Sequence, residues 1–294
     1  MPNVGKPLDY NLKNAFDTVF QKMLAQSKAY RDSEITAENV FQQAIKQNRP
    51  LLVEICSELL LRGSCVIGLE HLIELAELAK KEESCLICAK HTSNLDVPNF
   101  YTLMSRQGKQ ALDCFDRIVF VAGRKLNEDS TYMKMLAEMF SRVILCPKTY
   151  LNSIDLEEEE KRKLAKRINQ VAQRTILQLR HQGYIFLLYP TGTRIRSEVP
   201  ETSRALKETV AYLHRFDNLC FMNVLGNSLP PMLSNDLTSE IPHYDVVKFI
   251  VGPVQKTSEW LQTANAKFDQ SGNPNSARKQ WVADLVMQEI NNLT

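Results

Sequence analysis

Apolar residues recur at helical spacing through the first part of the chain. One stripe consists of Leu12, Phe16, Val19, Phe20, Met23 and Leu24. It marks one face of a first helix. Further apolar patterns and their capping residues predict helices over residues 37–47, 51–61 and 69–80. Since no strand pattern separates these helices, we predict a small N-terminal helical bundle over residues 1–80.

After residue 80 the pattern changes to short apolar runs that alternate with helical stretches. The predicted strands cover residues 85–90, 118–122, 143–146, 184–189, 219–224 and 246–251. The predicted helices cover residues 98–107, 129–140, 156–182, 203–215, 257–269 and 275–292. Apolar strands bounded by helices are typical of a sheet that is covered on both faces. We therefore predict an α/β fold, in which residues 81–294 form a larger domain with a mixed, largely parallel sheet covered by helices.

Composition limits the classes of partner and location. The 294 residues are 44% hydrophobic and 24% charged, which is ordinary for a globular protein in water. The formal charge of +2 argues against nucleic acid as a partner, so any anion site must be local. No apolar run approaches the roughly 20 residues that span a bilayer, and the N-terminal sequence has neither a signal nor a transit pattern. Because the 7 cysteines also fit a reducing compartment, we expect a cytoplasmic protein.

A histidine and an aspartate flank the turn that follows the strand predicted at 85–90. His91 leaves the end of that strand, and Asp96, with Pro98 behind it, is a good N-cap for the next helix. A tight strand-to-helix turn folds the carboxylate back onto the imidazole. An aspartate on one ring nitrogen fixes the tautomer and leaves the other nitrogen to accept a proton. His91 is thus a candidate general base and Asp96 the residue that orients it, although such a pair is more often structural than catalytic.

Metal binding is an alternative for this pair. A metal site needs at least one more ligand, and the nearby sequence offers none at a suitable spacing. Cys85 and Cys88 lie three residues apart on a strand, so they point to opposite faces and cannot chelate one ion. We assign both thiols to the core and predict neither a metal nor a cofactor.

Two arginines follow the strand predicted at 184–189. After the turn at Pro190, Arg194 and Arg196 lie on one side of an extended backbone. Two guanidinium groups at a strand end suit a phosphate dianion, with Gly192 and Thr193 as supporting residues of the loop. A pair of surface arginines after a strand is common. The two arginines therefore indicate a phosphate site only in combination with the other candidate residues.

Lys148 follows the strand predicted at 143–146 and is a further candidate ligand of the same anion. A parallel sheet gathers the carboxyl ends of its strands at one edge. We therefore expect the histidine–aspartate pair to lie near these three cations. Such a site suits a substrate that has a hydroxyl group to be deprotonated and a phosphate to be held.

The two blocks together resemble those of the glycerolipid acyltransferases. His91 and Asp96 match the His-x4-Asp block of that family, and Pro190-Thr-Gly-Thr-Arg194 resembles its later Pro-Glu-Gly-Thr-Arg block. The resemblance is closer to the soluble, plastid-type glycerol-3-phosphate acyltransferases, in which a small hydroxyl residue replaces the glutamate and two arginines flank one residue. Other stretches that resemble that type are Phe120–Gly123, Arg142–Tyr150 and Leu229–Pro231, together with the helical N-terminal part.

That resemblance implies transfer of a fatty acyl group from acyl carrier protein or coenzyme A to the sn-1 hydroxyl of glycerol 3-phosphate, which gives lysophosphatidate. It implies that His91 is the base and Asp96 its orienter. Arg194, Arg196 and Lys148 would hold the substrate phosphate. The apolar product implies peripheral contact with a membrane.

Three positions depart from the family pattern. Lys90 stands where many members have a second histidine, and Thr191 replaces the glutamate of the wider family. Lys148 lies in a Lys-Thr-Tyr sequence where the plastid type has Lys-Lys-His, so the phosphate lysine is either Lys148 or a neighbour.

Three other functions stay open. One is acylation of lysophosphatidate at sn-2. Another is a non-catalytic module that binds anionic lipid headgroups through its basic cluster. The third is a metal hydrolase that uses His91 and Asp96 as ligands.

Overall fold

The computed structural model of the chain describes residues 4–28, 34–124, 130–155, 158–232 and 237–294. The side chains of residues 148 and 149 lie outside this description. The strands are β1 (Lys6–Pro7), β2 (Phe41–Gln42), β3 (Cys65–Ile67), β4 (Cys85–Ala89), β5 (Ile118–Gly123), β6 (Arg142–Leu145), β7 (Ile185–Leu188), β8 (Asn218–Leu225), β9 (His243–Tyr244), β10 (Lys248–Val251) and β11 (Gln255–Lys256). The helices are α1 (Leu12–Ala15), α2 (Asp17–Gln26), α3 (Arg49–Leu59), α4 (Leu69–Lys80), α5 (Asp96–Ser105), α6 (Lys109–Phe115), α7 (Thr131–Glu138), α8 (Lys148–Ser153), α9 (Glu159–Leu179), α10 (Thr209–Leu213), α11 (Thr257–Asp269) and α12 (Arg278–Asn292).

One large sheet carries the fold, with its strands in the order β2-β6-β5-β7-β4-β8-β10-β3 and β11 paired to β8. The five central strands, β6, β5, β7, β4 and β8, all run parallel. The flanking strands β2, β10 and β11 run antiparallel to their central neighbours. This arrangement confirms the predicted mixed, largely parallel sheet. A separate two-stranded sheet joins β1 to β9.

Helices cover both faces of the sheet, and the buried side chains form one cluster on each face. Along β4, Cys85, Ile87 and Ala89 belong to the cluster under α3, α4 and α5. Leu86 and Cys88 belong to the opposite cluster, under α9 and α12. Since β4 is buried on both sides, its sequence is a continuous apolar run rather than an alternating one.

The two cysteines of β4 behave as the alternation of strand side chains predicts. Cys85 and Cys88 lie in opposite clusters and neither is in a disulfide. Burial raises the pKa of the Cys85 thiol to about 12, so this group stays protonated at neutral pH. Both residues are therefore core residues in this structure.

The first 80 residues differ from the predicted bundle of four helices. The helices predicted over 51–61 and 69–80 correspond to α3 and α4. The helix predicted over 37–47 is wrong, because that stretch contains β2 and then a short 3-10 helix. Val40 there is buried, and its carbonyl accepts a hydrogen bond from the Ile144 amide at 2.8 Å. Pairing with the sheet thus overrides the weak helical pattern.

The expectation that no strand lies in this segment is also wrong, since both β2 and β3 join the main sheet. Leu52 of α3 and Leu72 of α4 share a core cluster with Ile87 of β4. The division of the chain into domains at residue 80 stays a prediction. Within the residues that the structure describes, no helix is both long and apolar enough to cross a membrane.

Gly226 ends β8 at the edge where the central strands finish. Its φ is +78°, and a Cβ there would lie 2.1 Å from the Val246 carbonyl oxygen. We expect Gly226→Ala to destabilise the protein by roughly 1–3 kcal/mol more than the control Gly272→Ala, measured by urea unfolding. Gly272 has a similar φ of +70°, but open space surrounds its Cβ position, so the control isolates the clash. Equal losses in the two variants would contradict this account.

Candidate active site

The turn between β4 and α5 brings His91 and Asp96 together. His91 Nδ1 lies 2.8 Å from Asp96 Oδ2, so the hydrogen bond expected from the sequence is present. The Asp96 side chain is 3% exposed, and that of His91 is 22% exposed. Thus the orienting carboxylate is buried while the imidazole still reaches the surface.

Asp96 holds the whole turn rather than capping the helix in the usual way. It is the first residue of α5, and Leu95 occupies the N-cap position, so the predicted N-cap role is wrong. Its carboxylate instead turns back to accept hydrogen bonds from the amides of Thr92, at 2.7 Å, and Ser93, at 2.9 Å. The hydroxyl of Thr92 donates to the other oxygen at 2.9 Å.

These contacts determine which ring nitrogen of His91 carries the proton. Asp96 Oδ2 already accepts two backbone N–H groups, so it is an acceptor toward His91 as well. Nδ1 of His91 is therefore the protonated ring nitrogen, and in the neutral ring Nε2 carries the lone pair. This arrangement supplies a base at Nε2 and a carboxylate that stabilises the imidazolium formed when Nε2 takes up a proton.

An aromatic ring holds the imidazole from its other side. The ring of Tyr189, just after β7, stacks on that of His91 with centroids 4.0 Å apart and planes 14° apart. Burial, and then the nearby Asp96 carboxylate, raises the pKa of the Tyr189 phenol well above its ordinary value. The phenol thus stays neutral, and its contribution is to fix the plane of the imidazole.

The loop between β7 and α10 (residues 189–208, called the arginine loop) contacts His91 directly. The amide of Ile195 donates to the His91 carbonyl oxygen at 2.8 Å. Arg194 and Arg196 flank Ile195 in sequence. This bond therefore brings the backbone of both arginines to the turn formed by residues 91–96, which we call the histidine turn. The sequence predicts that the two blocks lie at one edge of the sheet, and this backbone contact agrees with that. The predicted binding roles of the two guanidinium groups stay predictions.

The conformation of that loop depends on small residues. The Thr191 hydroxyl donates to the Thr193 carbonyl at 2.6 Å, which closes a tight turn around Gly192. Gly192 has a φ of +66°, and a Cβ there would come within 2.6 Å of Leu206 Cδ1. Thr191, Gly192 and Thr193 therefore shape the loop that carries the arginines.

The two arginines have different surroundings. Arg194 is 7% exposed, and its Nη1 donates to Oε1 of Glu240, a fully buried residue. Arg196 is half-buried, and its amide donates to the Thr202 hydroxyl at 2.8 Å. The sequence pattern treats the arginines as equivalent, whereas the structure gives Arg194 a buried carboxylate partner.

Lys148 begins α8, immediately after the carboxyl end of β6. Its backbone therefore lies at the same edge of the sheet as His91. The position of its side chain falls outside the described residues, so its phosphate-binding role stays a prediction. The roles of His91, Asp96, Arg194, Arg196, Gly192 and Thr193 in substrate binding and catalysis likewise stay predictions.

Comparison with known proteins identifies the family to which the chain belongs. A protein-family model described as Acyltransferase matches residues 65–227. The chain belongs to the acyltransferase family. The matched range contains β3 to β8 and includes His91, Asp96 and both arginines.

A solved structure similar to this acyltransferase family member is the crystal structure of the 1-acyl-sn-glycerophosphate (LPA) acyltransferase, PlsC, from Thermotoga maritima. The identity is 12%, the TM-score is 0.44, and the match covers 96% of this chain and 94% of that chain. No curated protein matches the sequence.

The loop after β8 supports the candidate site from the other side. The sequence indicated Leu229–Pro231 in this loop only as a stretch that resembles the family, and the contacts that the loop makes with the turn after β4 were missed. The Asn227 side-chain amide donates to the Thr92 carbonyl at 2.9 Å, and the Ser93 hydroxyl donates to the Leu229 carbonyl at 2.9 Å. A signal was available, because Asn227 and Ser228 follow a predicted strand at its carboxyl end. Among the residues described, no group of three or more His, Cys, Asp or Glu side chains is arranged to hold a metal ion.

Proposed function

We propose that this member of the acyltransferase family moves a fatty acyl group from an acyl thioester to the sn-1 hydroxyl of glycerol 3-phosphate. The donor is acyl carrier protein or coenzyme A, and the product is lysophosphatidate. The observation that carries the proposal is the hydrogen bond from the Ile195 amide to the His91 carbonyl. It joins the arginine loop to a histidine that is already oriented by Asp96.

In the proposed reaction the hydroxyl oxygen attacks the thioester carbonyl directly. Nε2 of His91 removes the hydroxyl proton as the new C–O bond forms, and Asp96 stabilises the resulting imidazolium. Collapse of the tetrahedral intermediate breaks the C–S bond, and the imidazolium returns the proton to the leaving thiolate. The products are an ester and a free thiol, and the enzyme regains its neutral histidine.

Binding of the phosphate serves the same step. Arg194, Arg196 and Lys148 are proposed to hold the phosphate, as the family resemblance implies. Fixing one end of so small a molecule also fixes its hydroxyl group at the base, which lowers the entropic part of the barrier. The contact between the two blocks supports this division of roles.

The test is a thioester-release assay with glycerol 3-phosphate, run with carrier-protein and coenzyme A donors side by side. Release of free thiol that depends on glycerol 3-phosphate, with lysophosphatidate as product, supports the proposal. Faster release with lysophosphatidate as acceptor would indicate sn-2 acylation instead. Binding of anionic lipid without any thioester consumption would indicate a non-catalytic module.

Tyr189 offers a test of how the base is held. We expect Tyr189→Leu to lower kcat roughly two- to tenfold, since a stacked ring pair contributes about 0.5–1.5 kcal/mol. Tyr189→Phe keeps the ring and serves as the matched control, with kcat close to that of the wild type. A large loss in the phenylalanine variant would show that the hydroxyl group takes part and would contradict our assignment.

A further inference from the structure

Glu240 is a buried carboxylate that belongs to neither sequence block of the site. It lies between a short 3-10 helix (Leu237–Ser239) and β9, and none of its surface is exposed. Burial raises the pKa of this carboxyl, and the Arg194 guanidinium beside it counteracts the rise. A carboxylate in such surroundings needs partners, and the identity of those partners indicates its role.

The two oxygens of Glu240 join the two blocks. Oε1 accepts a hydrogen bond from Nη1 of Arg194, in the arginine loop. Oε2 accepts one from the side-chain amide of Asn94 at 3.0 Å, within the turn between His91 and Asp96. Among the described residues, Glu240 is the only side chain that contacts both the arginine loop and the histidine turn through hydrogen bonds.

The backbone of Glu240 is also fixed. Its carbonyl accepts a hydrogen bond from the amide of Leu12 at 2.8 Å, and its own amide donates to the Leu237 carbonyl at 3.2 Å. The backbone of Glu240 is therefore held between the start of α1 and the short 3-10 helix. Its side chain is held by the hydrogen bonds to Arg194 and Asn94, so the three residues form one connected unit on an anchored backbone.

We propose that Glu240 is a positioning residue that sets the guanidinium of Arg194 relative to His91 and so places the substrate phosphate. This inference rests on the proposed function. A guanidinium group has five N–H donors in a planar fork, so a carboxylate at one edge fixes the plane and direction of the others. The carboxylate acts through Arg194 and does not touch the substrate.

The alternative role for Glu240 is purely structural. A buried ion pair is weak evidence for stability, because the cost of removing both charges from water can exceed their attraction. If the pair served stability alone, replacing Glu240 would change the free energy of unfolding and leave the substrate KM values unchanged. A positioning role predicts a selective effect on one substrate.

The experiment compares wild type with Glu240→Gln, Arg194→Gln and the double variant. Glu240→Gln is expected to raise the KM for glycerol 3-phosphate roughly 10- to 100-fold, because a misplaced binding group costs about that much. The acyl-donor KM should stay within about twofold, since the proposal assigns Arg194 to the phosphate of the acceptor. The double variant should match Arg194→Gln, because two residues that act as one unit are not additive.

Two results would overturn the proposal. One is a wild-type KM for glycerol 3-phosphate in folded Glu240→Gln or in folded Arg194→Gln. The other is a further rise in KM when Glu240→Gln is added to Arg194→Gln. Asp269→Asn is the matched control, because it removes a carboxylate partner from Arg278 in an ion pair that lies outside the arginine loop. It should leave both KM values unchanged.

Folding is checked in parallel by circular dichroism and thermal unfolding. If Glu240→Gln alone does not fold, the double variant is used, because it also removes the uncompensated guanidinium. A KM for glycerol 3-phosphate equal to that of Arg194→Gln supports the proposal, and a higher KM overturns it. If neither single variant folds, the double variant is compared with wild type, and an unchanged KM overturns the proposal. Failure of the wild type to release thiol with glycerol 3-phosphate is a separate outcome, which refutes the proposed function instead.

Discussion

Replacement of His91 by alanine is expected to lower kcat for acyl transfer by roughly 100- to 10,000-fold. The variant loses the imidazole that Asp96 orients and that we propose accepts the hydroxyl proton. It keeps the Ile195–His91 hydrogen bond, because that bond uses the backbone carbonyl of residue 91. The arginine loop should therefore stay in place, and calorimetric binding of glycerol 3-phosphate should change little. The measurement is steady-state thioester release beside that binding isotherm.

The matched control for this variant is His214→Ala. His214 is exposed and lies just after α10, away from the carboxyl ends of the central strands. It should retain wild-type kcat. Wild-type turnover in His91→Ala would refute the assignment of the base, whatever the fate of the control.

Arg194→Ala is expected to destabilise the protein by about 3–5 kcal/mol, because it leaves the Glu240 carboxylate buried without its counter-charge. Arg196→Ala removes a half-buried side chain instead, so it should cost much less stability and mainly raise the KM for glycerol 3-phosphate. The free energy of unfolding is measured by urea titration, and the KM by the thioester-release assay. Equal losses of stability in the two variants would contradict the buried ion pair.

This contrast separates the two arginines, which the sequence alone does not. Their spacing places both on one side of an extended chain, and nothing local distinguishes them. The difference comes from Glu240, which is remote in sequence and sits in no recognisable pattern. A lone glutamate in a loop is more often a surface residue than a buried partner, so nothing in the sequence selects Glu240.

The histidine turn could be predicted because its contacts are local. Asp96 reaches His91, Thr92 and Ser93 within a single turn of chain, and such short-range geometry follows from strand and helix signals. The central strands could be predicted for a similar reason, since fully buried strands leave unbroken apolar runs. Helices α4 and α11 begin and end where the predicted helices do.

Elements that depend on distant partners were the ones missed. Strands β2 and β3 are two and three residues long, too short to leave a pattern, and they exist because another strand is beside them. The helix predicted over 203–215 is observed only as α10. Its first half is taken up by the arginine loop, where the Leu206 amide donates to the Pro190 carbonyl at 2.8 Å.

The order of the strands has a consequence for self-association through the edges of the sheet. The outermost positions of the main sheet are filled by β2 on one side and β3 on the other. Longer strands, β6 and β10, lie just inside them, and their amide and carbonyl groups would otherwise offer a template to a neighbouring chain. The N-terminal segment thus supplies very short strands at both edges of the main sheet, and short edge strands disfavour pairing with another chain.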